Sequence, residues 1–198
     1  MSRWHNMTFY GDVPMTPLCE LSRLYGTDKG GVMEPYPNHR ANLFHDYTPI
    51  YHDLMKDWRS EAWALLEIGV AEGRSARMWA AYFVNAQIDG FDVDPKSLLI
   101  NENRIRTYYC DQSNQGSIET AWRAAGNKRY DYIIDDGSHI CEHQQMTFDT
   151  LLPFLKPNGI YFIEDSYTGE AVVPPVGCTI DVRRWRLPSM LQIIRKTP

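Results

Sequence analysis

Between residues 62 and 163, short apolar runs alternate with segments of helical period, and the runs end in acidic or glycine residues. The runs are Ala62–Ile68, Gln87–Phe91, Arg106–Cys110, Tyr130–Ile134 and Ile160–Ile163. Helical period spans Ser75–Val84, Ser117–Ala125 and about Cys141 to Leu155, and Pro157-Asn158-Gly159 reads as a turn. Apolar strands of this length separated by helices predict an α/β fold: a doubly wound, mostly parallel sheet with helices on both faces. Cys178–Val182 and Met190–Ile194 are candidate late strands, with Pro174, Pro175 and Pro188 weighing against them.

Residues 1 to about 40 read as irregular or partly helical, with a turn over Thr27–Gly31. Leu43, Tyr47, Ile50, Tyr51, Leu54 and Trp58 fall at helical spacing and predict a helix over 43–58 that Pro49 kinks or delays. We expect residues 1–58 to form an N-terminal irregular and helical cover segment, and 59–198 to form the main domain as a single globular unit. Tyr36, Tyr47, Tyr51, Trp58 and Trp79 read mostly as core or helix packing, with some N-terminal aromatics available to cover a ligand.

With 198 residues, 43% of them hydrophobic and 23% charged, the chain has an ordinary globular composition. Its net charge of -5 argues against nucleic acid as partner, although Arg183, Arg184 and Arg186 form a local basic group. None of the 4 cysteines makes a C-x-x-C pair, so a reducing compartment is the simpler reading. There is no apolar signal core and no run long enough to span a bilayer, which predicts a cytoplasmic protein without membrane attachment.

Ligands of such sheets bind outside the carboxyl ends of the strands, so the residues just after each run carry the functional expectations. After the first run comes Glu67-Ile-Gly69-Val-Ala-Glu-Gly73-Arg-Ser75. Its glycines permit a tight turn and close backbone approach, but the third glycine of G-x-G-x-x-G is missing. A carboxylate at Glu67 repels a pyrophosphate and can meet an ammonium. The alternative is a structural strand-to-helix turn.

After the second run, Asp92 can accept both hydroxyls of an adenosine ribose, in either an NAD or an S-adenosylmethionine site, while Asp94-Pro95 can cap a helix. After the third, Asp111 and Gln112 can read an adenine edge or form a solvated turn. After the fourth comes Asp135-Asp136-Gly-Ser-His139, and after the fifth Glu164-Asp165. Two acidic pairs after neighbouring strands repel each other and call for a cation, and all-oxygen ligands favour Mg²⁺, Mn²⁺ or Ca²⁺ over zinc. His139 directly follows the acidic pair and suits proton abstraction near neutral pH; His143 reads as a packing or hydrogen-bonding residue.

These stretches resemble a known family. Tyr25-Gly-Thr-Asp-Lys-Gly30, Leu66-Glu-Ile-Gly-Val-Ala-Glu-Gly73, Gly90-Phe-Asp-Val-Asp-Pro95, Cys110-Asp-Gln-Ser113, Ile134-Asp-Asp-Gly-Ser-His139 with His143-Gln144, and Leu155–Asp165 look like bacterial class I methyltransferases of the metal-dependent sugar O-methyltransferase type. Members of that family modify deoxysugars of macrolides and aminocoumarins. The resemblance implies the Rossmann-like class I methyltransferase fold, Asp136, Glu164 and Asp165 as Mg²⁺ ligands, and His139 as general base. It also implies an S-adenosylmethionine site lined by Glu67, Gly69, Gly73, Ser75, Asp92, Asp111, Gln112 and Asp135. The expected partner is a small-molecule or glycan hydroxyl acceptor, and a homo-oligomer is compatible with this reading. An NAD-dependent oxidoreductase and a non-catalytic cofactor-binding interaction module are the alternatives.

Overall fold

β-Branched and aromatic runs form the strands, and their alternating side chains divide the core into two layers. In a computed structural model of the chain, the described residues are 15–30, 45–60, 64–166, 168–184 and 190–197. In chain order the elements are α1 (Pro17–Tyr25), α2 (Thr48–Met55), β1 (Ala64–Ile68), α3 (Arg74–Tyr82), β2 (Gln87–Asp92) and β3 (Ile105–Tyr109). They continue with α4 (Gln115–Ala124), β4 (Tyr130–Asp135), α5 (Cys141–Leu151), β5 (Leu155–Glu164), β6 (Cys178–Arg184) and β7 (Met190–Lys196).

The strands form a 7-stranded sheet in the order β3-β2-β1-β4-β5-β7-β6. The pairs from β3 through β5 are parallel, while β7 runs antiparallel to both β5 and β6. The sheet is thus doubly wound and mostly parallel, as expected. The late strands form despite the nearby prolines, because Pro174, Pro175 and Pro188 all fall outside β6 and β7. The Pro157-Asn158-Gly159 turn is absorbed into β5 as an irregularity: its register against β4 jumps from Tyr130↔Leu155 to Tyr132↔Ile160.

On one face, Leu65, Ile88, Tyr132, Ile134 and Phe162 pack with Trp79, Tyr82 and Phe83 of the α3 region and with Leu18, Tyr47, Tyr51 and Met55 from the N-terminal segment. On the other, Leu66, Ile68, Ile133, Tyr161 and Ile163 pack against Ile118 and Ala121 of α4 and Phe148 and Leu151 of α5. Neighbouring residues such as Leu65 and Leu66 thus serve opposite layers, the period-2 signature of a strand covered on both sides.

The helix ends follow local chemistry. Thr16 accepts the Cys19 N–H at 3.2 Å at the start of α1, and Asn114 accepts that of Ser117 at 3.1 Å at the start of α4. Helix α2 begins at Thr48 with Pro49 in its first turn, so the proline delays the helix. Leu43, Tyr36, Ala62, Trp63 and Arg186 lie outside the described residues. Cys19, Cys110, Cys141 and Cys178 are all unpaired thiols. Among the described residues, no helix is long and apolar enough to cross a membrane.

Phe162 is fully buried, with Tyr51 at 4.7 Å and Tyr132 at 6.3 Å between ring centroids. Phe162→Ala is expected to cost about 3–5 kcal/mol in urea unfolding; a loss below about 1 kcal/mol contradicts this packing.

Candidate active site

The strand order reverses between β1 and β4, and the cleft opens at the carboxyl ends of the strands beside that point. The cleft holds about 890 Å³, within the range of about 300–1,000 Å³ typical of small-molecule sites. Among its lining residues are Gly69, Ser75, Asp92, Asp111, Gln112, Asp136, His139 and Asp165. Glu67, Gly73, Asp135 and Glu164 do not line the cleft.

The β1–α3 loop is shaped by close backbone contact. Gly69 has φ 85°, and a Cβ there would overlap the Asp136 carbonyl, so only glycine lets β1 and β4 approach this closely. Asp92 anchors the loop: one oxygen accepts from Val70 N and Ala71 N, both at 2.8 Å, and the other from Asp94 N at 2.8 Å. A carboxylate has about four acceptor positions, so Asp92 can hold the loop and still take a ligand hydroxyl. Asp94 accepts the Lys96 N–H at 2.9 Å and thereby starts the turn that follows.

Gln112 ties β3 to β4. Its amide nitrogen donates to both Asp135 oxygens, at 2.7 and 2.8 Å, and its oxygen accepts from Ser138 N at 2.8 Å. Asp135 is therefore sealed behind Gln112, and burial pushes its carboxyl up to about 7 against the pull of the Gln112 amide. Asp111 accepts from Ser113 N at 2.9 Å and from its hydroxyl at 2.6 Å, and these bonds hold its carboxyl below the usual range.

One member of each acidic pair converges with the histidine. Asp136, His139 and Asp165 place ligand atoms within 4.8 Å of one another. His139 Nε2 lies 3.9 Å from Asp136 Oδ1. Ala71, His139 and Asp165 hold left-handed backbone, at φ 48°, 58° and 45°. Such conformations are uncommon for non-glycine residues and gather at functional sites.

Glu164 is placed differently. Its oxygens both accept from Lys29 Nζ at 2.9 Å, and Tyr51 OH donates to Oε1 at 2.5 Å. It thus stands behind the Asp136–His139–Asp165 group. The amide of Gln144 on α5 donates to the Glu164 and Asp165 carbonyls, at 3.0 and 3.1 Å, and so locks the end of β5 to the helix that follows His139.

Lys29, His45, Tyr47, Tyr51 and Gln144 contact the acidic group, and sequence reasoning had assigned none of them a role there, although Lys29 and Gln144 fall in stretches that carry the resemblance. Tyr47 OH donates to Asp165 Oδ1 at 2.5 Å, and His45 Nε2 lies 3.4 Å from Asp165 Oδ2. The signal was present: Tyr47 and Tyr51, four apart and each with a hydroxyl, present donors on one helical face. His143 pairs with Ser138 Oγ at 3.0 Å. In the basic group, Arg183 pairs with Asp181 at 2.6 Å, while the Arg184 side chain and Arg186 are not described.

A family model described as a methyltransferase domain matches residues 66–166. The chain belongs to this methyltransferase family. Mycinamicin VI 2''-O-methyltransferase of Micromonospora griseorubida is 37% identical over 158 residues, covering 76% of this chain and 36% of that protein. The 8-demethyl-8-alpha-L-rhamnosyl tetracenomycin-C 2'-O-methyltransferase of Streptomyces olivaceus is 37% identical over 164 residues, 79% of this chain and 39% of its own length. The structure of MycE methyltransferase from the mycinamycin biosynthetic pathway, in complex with Mg and SAH, superposes with a TM-score of 0.65 at 35% identity. That match covers 79% of this chain and 41% of MycE. The chain spans well under half the length of these relatives.

Glu67 supplies a pH test. It is fully buried, Oε1 accepts from Trp79 Nε1 at 3.1 Å, and Oε2 has no partner among the described residues. Burial pushes its carboxyl from 4.5 up to about 7, with nearby Lys29 pulling the other way. The folded state thus holds this proton more tightly than the unfolded chain. The contribution to stability is complete below pH 4.5 and is lost as the pH rises through about 7. Glu67→Gln, which keeps an acceptor for Trp79, is expected to gain melting temperature relative to wild type across that window. A difference that does not change with pH contradicts the assignment.

Proposed function

We propose that the protein is an S-adenosylmethionine-dependent, Mg²⁺-dependent O-methyltransferase acting on a hydroxyl of a sugar, glycan or glycosylated natural product. The observation that carries this reading is that Asp136, His139 and Asp165 come together on the same cleft as the Gly69 loop, Asp92 and Asp111. The relatives' named substrates, which are glycosylated natural products, support the acceptor class. The Mg and SAH of the MycE complex support the cofactors.

The donors fit both groups. Of the three expected ligands, hard carboxylate oxygens of Asp136 and Asp165 suit a Mg²⁺-sized ion as they stand, and Glu164 would join them on release of an oxygen from Lys29. Asp92 offers an acceptor to a ribose hydroxyl, with Asp111, Gln112 and Ser75 lining the nucleoside part of the cleft. Glu67 is fully buried and does not line the cleft, so its part in holding the ammonium end of the cofactor would run through water. When bound, S-adenosylmethionine supplies an electrophilic methyl group, and Mg²⁺ makes a coordinated hydroxyl more acidic. The chain's residues then orient and deprotonate: Gln144 and Tyr47 fix the end of β5, and His139 Nε2 takes the acceptor hydroxyl proton. Residues 15–30 and 45–58 cover the acidic end of the sheet, bringing Lys29, Tyr47 and Tyr51 onto it.

The test is transfer of a labelled methyl group from S-adenosylmethionine to a panel of glycosylated acceptors, with and without chelator, for wild type and His139→Asn. Asparagine tolerates the left-handed backbone at this position, so the substitution removes the base with little strain. His139→Asn is expected to bind S-adenosylhomocysteine like wild type and to lose about 10²- to 10⁴-fold in turnover. Chelation is expected to abolish transfer. Unchanged turnover in the variant removes His139 as base, and full activity in chelator removes the metal. Cofactor binding with no transfer to any acceptor favours a binding module.

A further inference from the structure

Lys29 is 1% exposed, which is rare for a lysine unless it is paired. Its Nζ lies 2.5 Å from Asp136 Oδ2, 2.9 Å from Glu164 Oε2 and 3.9 Å from Glu67 Oε1. The residue is fixed at its other end too, since its carbonyl accepts from Tyr47 N at 2.8 Å and Thr48 N at 3.2 Å. Three carboxylates from β1, β4 and β5 therefore meet on one ammonium delivered by the segment between α1 and α2. Left to themselves, buried carboxylates this close repel one another or take up protons.

We propose that Lys29 is a positioning residue, the resident counter-cation of the acidic end of the sheet. It anchors one oxygen of Asp136 and both of Glu164, and so offsets their charge and keeps the site in shape before a divalent ion arrives. The purpose assigned to the site rests on the metal reading above; the charge balance does not. An ammonium on a tether suits this task because it cannot be lost to chelators or dilution. It also leaves Asp136 Oδ1, on the His139 side, for another partner.

The test is a melting-temperature cycle of Lys29→Met, Glu164→Gln and the double variant, all in chelator and repeated with Mn²⁺. Lys29→Met strands buried carboxylates and is expected to melt about 10 °C below wild type in chelator. Adding Glu164→Gln removes one of those charges and is expected to restore at least half of the loss. A side chain that merely fills space gives no such rescue. A double variant as unstable as Lys29→Met, or one that also fails to fold, overturns the proposal, as does a Lys29→Met protein that melts with wild type. Mn²⁺ is expected to raise the melting temperature of Lys29→Met more than that of wild type, because the ion takes the carboxylates the lysine has left. A smaller rise in the variant than in wild type counts against the proposal. If neither protein responds to Mn²⁺ but the double variant recovers, the metal reading fails and the role of Lys29 stands.

Discussion

Like charges gathered at one end of a sheet are the constraint on which the rest of this molecule depends. Glu67, Asp135, Asp136, Glu164 and Asp165 lie at or just past the ends of three neighbouring strands, and all but Asp136 are almost fully buried. Each has its own answer to the repulsion. Glu67 and Asp135 are pushed toward neutrality by burial, Asp165 is held by Tyr47 and His45, and Glu164 is held by Lys29 and Tyr51. Asp136, the most exposed of the five, is paired with Lys29 and still faces the cleft. The N-terminal segment supplies most of these donors, which ties its packing on the α3 face to the electrostatics of the site.

The same segment marks the boundary of what was legible in the chain. The alternation of apolar runs and helices was readable because a parallel sheet needs apolar side chains on both faces, so β1 to β5 and their order of use stand out. The clustering of Asp136, His139 and Asp165 followed from placing them after adjacent strands. The stretch holding Lys29 was legible as part of the family resemblance, but its role was not: it is 107 residues from Asp136 and 135 from Glu164, and a turn motif does not say what its lysine meets. Nor did sequence alone show that Glu164 would turn toward that lysine, since a strand-end carboxylate can face either way. Tyr47 and Tyr51 were readable as buried helix residues, and their hydroxyls became meaningful only once their acidic partners were in place.

Asp92 and Gln112 show a further limit. Both line the cleft where a nucleoside is expected, yet both are already engaged with backbone or with Asp135. Residues at such positions shape the cleft as well as line it, so their substitution acts on two things at once. This is why family membership, which rests on residues 66–166, says more about the sheet and its cleft than about the acceptor. The curated relatives extend well beyond the shared region, and the acceptor class comes from their chemistry together with the acidic group on the cleft.

The most direct measurement is a crystal structure grown with S-adenosylhomocysteine and Mn²⁺, with the ion located by its anomalous signal. The expected result is a peak between Asp136 and Asp165 beside His139, with the nucleoside along the Gly69 loop and Asp92 and with Lys29 still on Glu164. A peak in the place of the Lys29 ammonium, with the lysine expelled, contradicts the division of labour between tethered and free cation. No peak anywhere on the cleft contradicts the metal site itself.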